Sequence, residues 1–247
     1  MLTKSSPILV TLYNALDTYT EKYGFYSVAS LMIKYNLLIN SLDLFVNCSK
    51  EEEELFRFEL NKATNLVQDH YRNTSRTERT NPRGQRASII DLDGNTAFIY
   101  DSEFYQQRYV ESGKEAESSV IRISQERASA IEDHQFYMYA ITGEMEPLVY
   151  LQTIPLMDLI DGRKQLRNES GPIGHPVLLH NHNLIARGAG EATFVKDRLG
   201  NIKGVIANNK SGHYCPPSWT LSTVKKAFAR QLGISDDYVV TIAVEED

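Results

Sequence analysis

The spacing of apolar residues changes character once along this chain, and that change restricts the fold more than any other feature. Before residue 72 the apolar positions recur at helical intervals. Leu9, Leu12 and Leu16 stand at i, i+3 and i+7 behind Pro7, a residue suited to the first turn of a helix. After a break at Gly24, Leu31, Tyr35, Leu38 and Leu42 mark the face of a second helix over residues 27–42. Ser49 and Glu52 make a capping-box pattern ahead of a third, whose apolar stripe is Phe56, Leu60, Ala63 and Val67. The acidic run 51–54 falls in its first turn, where the helix dipole favours carboxylates.

Residues 72–86, rich in Arg, Thr and Asn and punctuated by Pro82 and Gly84, interrupt this pattern. Beyond them the spacing is that of strands. Residues 87–92 and 96–100 flank Asp93-Gly94-Asn95, a hairpin signal. One helix and a strand near 120–123 are expected between 101 and 133. Further strands are expected at 135–142, 148–154, 176–179, 184–195, 204–208 and 238–244, with a helical turn at 155–160 and a loop at 161–174. A helix starting at Ser218 or Thr220 should reach Leu232 and stop at Gly233. The expected class is α+β: a helical region (1–71) packed on a mostly antiparallel sheet with a C-terminal helix and closing strand. The Arg-rich connection (72–86) joins it to an α+β domain (87–247) that carries the candidate site.

Composition excludes several function classes. A chain of 247 residues with 42% hydrophobic content can bury a sizeable core. The net charge of −6 disfavours non-specific nucleic-acid binding. The local exception is Arg72, Arg76, Arg79, Arg83 and Arg86, which form either a solvated loop or an RNA-contacting arm with steep salt dependence. Two cysteines, Cys48 and Cys215, are too few for a disulfide framework and suit a reducing compartment. Lys34, Asn36, Asn40 and Asp43 interrupt the longest apolar stretch, so no membrane span is expected. Residues 1–10 lack a signal-peptide pattern, and the expected location is cytoplasmic.

The residues that could carry chemistry crowd between His175 and Tyr214. In a strand, His180 and His182 would share a face and could hold one metal ion, but no third ligand stands at a suitable spacing, and no metal is expected. In Ala186-Arg187-Gly188-Ala189-Gly190-Glu191 the small residues permit close approach of a ligand or another backbone. Arg187 offers a planar fork for phosphate or carboxylate, and Glu191 lies four residues on, as part of a site or of a structural ion pair. Asn208-Asn209-Lys210-Ser211-Gly212-His213-Tyr214 should make a sharp turn, because Asn and Gly tolerate left-handed backbone. There His213 is the candidate acid/base, with Ser211 as hydroxyl and Glu191 or His175 as proton-transfer partner. Arg187, Gly212, Tyr214 and Asn209 are candidate substrate contacts, the turn offering main-chain N–H groups to an anion. The plainer alternative is a turn in which His213 and Tyr214 cap a core edge, with Cys215 a packed thiol.

The order of Gly-His-Pro at 174–176, Ala-x-Gly-Ala-Gly-Glu at 186–191 and Asn-x-Ser-Gly-His-Tyr at 209–214, closed by Pro216, resembles a domain shared by plant IQ-motif-containing, calmodulin-binding proteins and related bacterial proteins. The resemblance covers about residues 175–217. This chain has His175-Pro176-Val177 where the plant proteins tend to show His-Ser-Ser, and it lacks an IQ-type helix, so calmodulin binding is not implied. What the resemblance implies is a shared domain, candidate residues and a bacterial effector role, which would place the chain inside a host cell. The tail Glu245-Glu246-Asp247 is compatible with a secretion signal or with plain solubility.

Three functional readings follow. The first is an enzyme acting on a nucleotide or other phosphate-bearing substrate, by ADP-ribosyl-type transfer or hydrolysis, with NAD or another nucleotide as cofactor or ligand. The second is a non-catalytic protein-binding module in which the same motifs are structural. The third is RNA binding through residues 72–86. The first requires His175, Arg187, Glu191 and His213 to converge on one open pocket.

Overall fold

The computed structural model describes residues 6–74, 87–161 and 166–244. Arg76, Arg79, Arg83 and Arg86, and the acidic tail, lie outside the described residues.

Three helices open the chain. Helix α1 (Pro7–Tyr23) starts on Pro7 and ends at Gly24, and α2 (Val28–Asn47) is capped by Ser27, whose side chain accepts from Ser30 N at 3.2 Å. Before α3 (Glu53–Thr74), Glu52 reaches back to Ser49 N at 3.2 Å, one half of the capping box. The stripes foreseen from spacing are buried, Leu31, Tyr35, Leu38 and Leu42 on α2 and Phe56, Leu60, Ala63 and Val67 on α3, and α2 also buries Lys34, Leu37, Ile39 and Phe45. Among the described residues no helix is long and apolar enough to cross a membrane.

The chain then enters strands β1 (Ala87–Leu92) and β2 (Asn95–Tyr100), joined through Asp93 and Gly94, both at positive φ, as a two-residue hairpin requires. Two short helices, α4 (Ser102–Arg108) and α5 (Val110–Ala116), take the place of the single one expected, and β3 (Val120–Arg122) follows. Strands β4 (Phe136–Thr142) and β5 (Pro147–Ile154) form a second hairpin, followed by α6 (Leu156–Asp161). A two-residue ladder, β6 (Arg167–Asn168) with β7 (Gly171–Pro172), interrupts the expected loop.

Residues 176–179, expected as a strand, are helical. Helix α7 spans His175–Leu178 with proline in its first turn, where its fixed φ suits a helix and its missing N–H costs nothing. Then come the long β8 (Ile185–Lys196), β9 (Ile202–Asn208), α8 (Leu221–Leu232), and β10 (Val239–Ile242). The fold is α+β. The main sheet runs β1-β2-β8-β4-β5-β3, with β9 also on β8 and β10 parallel to β9. Every other pairing in it is antiparallel.

Both faces of this sheet are covered. Phe136, Met138 and Ala140 of β4 share a core with α2 and α3, while Tyr137, Tyr139 and Ile141 face Val224, Phe228 and Leu232 of α8. The period of two along β4 therefore separates two cores, and the whole strand is buried.

Candidate functional site

Strand β8 is the axis of the site. It pairs with β4 along residues 186–193, with β2 only at Ile185 and Ala186, and with β9 only from Ala192 onward. Between those two contacts, from Arg187 to Glu191, it pairs with neither β2 nor β9. The three sequence motifs meet at this interval.

Gly190 is where the backbones approach most closely. A Cβ there would stand 2.0 Å from Asn208 O, so only glycine fits. Asn208 Oδ1 accepts from Glu191 N at 3.0 Å and from Lys210 N at 2.9 Å, and Tyr139 Oη donates to Asn208 O at 2.7 Å. Gly190 O accepts from His175 Nε2 at 3.0 Å. Gly174, just before, has the His213 ring 2.6 Å from where its Cβ would be. Gly-His-Pro, Ala-Gly-Glu and Asn-x-Ser-Gly-His-Tyr are thus one interlocked junction.

The tautomer of His175 follows from its partner. A carbonyl only accepts, so Nε2 carries the proton and Nδ1 keeps a lone pair. That Nδ1 is buried and, among the described residues, has no hydrogen-bond partner. Burial, with His213 adding to it, pushes the His175 pKa down to about 3, so the ring is neutral at physiological pH. His213 is half-buried, its ring centroid 5.9 Å from that of His175, with Nε2 3.0 Å from Tyr109 Oη. Tyr109 stacks on Tyr105, whose Oη lies 2.9 Å from His180 Nδ1. Tyr100 packs against both His213 and Tyr214. The rings at 100, 105 and 109 were not singled out in the sequence; the four-residue interval from Tyr105 to Tyr109 was the available signal.

The other candidates bind main chain. Ser211 is fully buried and its Oγ accepts from Tyr214 N at 3.3 Å. Asn209 donates to Pro216 O at 3.0 Å and accepts from Val244 N at 2.8 Å, joining the turn to the segment just past β10. Tyr214 Oη donates to Leu184 O at 2.9 Å. The left-handed residue of the turn is Cys215 (φ 44°), not Gly212, because Cys215 N closes the loop onto Ser211 O at 2.7 Å. Gly212 is exposed, and a Cβ on it would meet nothing within 4 Å.

Arg187 and Glu191 part company. Arg187 is 8% exposed and donates to Gly143 O at 2.7 Å and Leu92 O at 3.3 Å, tying together the two hairpin ends. Glu191 lies by Tyr35 and Tyr139; burial first, and the Glu191 charge after it, holds the Tyr139 phenol above its ordinary range. His175 and His213 therefore meet, whereas Arg187 is tied to the hairpin ends and Glu191 stands by Tyr35 and Tyr139.

An open cavity of about 350 Å³ lies on the other side of the Tyr105–His180 contact. Its polar lining includes Arg122, Arg127, Glu146, His180, Asn181 and His182, over an apolar floor of Val120, Leu148, Val177 and Leu178. His180 and His182 sit in the turn after α7 rather than on a strand, so the shared-face argument does not apply to them. Arg122 pairs with Glu146, and Asn181 donates to Glu117 at 2.8 Å. Arg127 and His182 have no side-chain hydrogen bond or ion pair among the described residues.

No protein-family model matches the chain, and neither does any curated protein or solved structure.

Proposed function

We propose that this chain binds a phosphate-bearing small molecule of the nucleotide class in the cavity beside His180 and His182, and that its motif residues hold the fold. The carrying observation is the unengaged Arg127 side chain in the lining. Glu146 pairs with Arg122 and Glu117 accepts a hydrogen bond from the neutral Asn181, so the lining's two arginines and two carboxylates balance in charge, but among the described residues Arg127 has no side-chain hydrogen bond or ion pair and its guanidinium is free to meet a ligand. An arginine fork presented at a cavity mouth suits a phosphate. The apolar floor suits a flat ring, and the volume falls in the range of small-molecule sites. Arg187, Ser211, Asn209 and Tyr214 support this division of labour, since each is spent on main-chain partners.

A second reading, the enzyme, is favoured by one observation. The partnerless lone pair of His175 stands beside His213, and His213, Tyr109, Tyr105 and His180 lead from it to the cavity wall. ADP-ribosyl-type transfer or hydrolysis would use His213 for proton transfer. An effector role rests on the motif resemblance, and a protein partner remains the reading if no small molecule binds.

A thermal-shift panel of ATP, ADP, NAD and inorganic phosphate separates these readings. The proposal expects a shift that Arg127→Ala abolishes and His213→Ala keeps. Loss of the shift in His213→Ala, with fold stability unchanged, favours the enzyme. No shift with any of the four sinks the small-molecule reading.

A further inference from the structure

A second cluster lies far from the motifs, where α2 meets the sheet. Asp43 belongs to α2, and Asp133 and His134 lead into β4. His134 Nε2 stands 3.8 Å from Asp43 Oδ1 and 3.7 Å from Asp133 Oδ2, and one ligand atom from each residue falls within 4.8 Å of the others. These separations are too long for hydrogen bonds. Ligand atoms around an ion with bonds of about 2.0–2.2 Å lie roughly 3.3–3.5 Å apart, so the two histidine–carboxylate separations would shorten by a few tenths of an ångström, and the two carboxylates, within 4.8 Å of each other, by up to about 1.3 Å. A second observation concerns the imidazole: His134 Nε2 is covered from solvent and, among the described residues, makes no hydrogen bond, with the two carboxylates as its ion-pair neighbours.

We propose that Asp43, Asp133 and His134 form a binding site for one divalent cation of the zinc type, which ties helix α2 to the sheet. One imidazole and two carboxylates are a zinc-compatible donor set, and three protein ligands leave one position for water. Neighbouring groups brace the ligands, and the brace on Asp43 acts on the same oxygen that faces the histidine. Asp133 Oδ1 accepts from Lys196 N at 3.1 Å, which leaves Oδ2 toward the histidine. Asn47 Nδ2 donates to Asp43 Oδ1 at 3.2 Å and also to Lys196 O at 3.3 Å, so the same residue braces the ligand and bridges helix to strand. His134 N donates to Phe194 O at 3.0 Å, which fixes its backbone on the end of β8. Such backing of the ligands is the usual support of a metal site. The side chains are 36%, 41% and 36% exposed, so an ion reaches the carboxylates from solvent, while His134 Nε2 itself is covered.

The test is zinc titration of the full, EDTA-stripped chain, read by calorimetry and by the visible bands of cobalt(II) in its place. The expected result is one equivalent bound, with affinity at least tenfold lower in Asp43→Asn and in His134→Gln. His182→Gln, which removes a histidine elsewhere, should bind as the wild type does. Circular dichroism of the stripped variants separates lost binding from lost fold, and Asp133→Asn is the substitute should either variant fail to fold. Absence of stoichiometric binding to the wild type overturns the proposal. So does binding that survives in the folded variants, or binding that only His182→Gln removes.

Discussion

His175 donates from Nε2 to Gly190 O at 3.0 Å, a bond that fixes the tautomer of the ring while burial and His213 keep it neutral. It also joins the first motif to the second, fifteen residues on. Around it the glycines, Asn208 and His213 pack so closely that a methyl group at either of two glycines would collide with a neighbour. The junction is therefore built for contact between backbones.

The first prediction compares two glycines. Gly190→Ala places a Cβ 2.0 Å from Asn208 O, a main-chain atom that cannot step aside. It should cost about 3 kcal/mol or more in urea unfolding. Gly212→Ala meets nothing within 4 Å and should stay within about 0.5 kcal/mol of wild type. Equal costs would mean that the junction is looser than described.

The second concerns acid. Burial and His213 hold His175 at about 3, and burial and Lys34 hold His70 at about 4. Both folded values lie below the ordinary 6.5, so the unfolded chain takes up these protons first as the pH falls. Stability is then fully present above pH 6.5 and declines below it, by up to about 1.4 kcal/mol per pH unit for each ring. Unfolding free energies measured from pH 7 to pH 5 should show this slope, and His175→Gln should remove about half of it. A slope unchanged by that substitution would contradict the buried, neutral ring.

Arg187 supplies the third. Arg187→Ala leaves Gly143 O and Leu92 O without their donor and should cost about 2 kcal/mol. Ligand affinity should not change. A selective loss of nucleotide binding at unaltered stability would return Arg187 to the substrate-contact role expected from sequence.

What could be read from sequence was periodic or local. The stripe of α3 was legible because it buries one face at a 3.6-residue period, that of α2 as part of a helix buried on more than one face, and the Asp93-Gly94 turn because few residues accept its backbone. The run Pro176-Val177-Leu178-Leu179 was not. Four apolar residues suit a buried strand or a helical turn equally, and the packing of Val177 and Leu178 into the helical-side core decides between them. The handedness of the 211–215 turn depends on Asn209 reaching Pro216 O and Val244 N, the latter thirty-five residues away. The motif segment was legible as a place of close approach. That Arg187 and Glu191 diverge was not, because the β4–β8 register shifts just before Arg187, between Ile141 and Thr142, and i, i+4 parity no longer guarantees a common destination. Asp43 and His134 lie ninety-one positions apart, a separation no spacing rule covers.

The central claim is that ligand and motifs occupy different places. It is tested most directly by calorimetric titration of ATP into the wild type, Arg127→Ala and His213→Ala. The account predicts binding to the wild type, a loss of affinity of tenfold or more in Arg127→Ala, and unchanged affinity in His213→Ala. Unchanged affinity in Arg127→Ala, with loss in a folded His213→Ala, would contradict it.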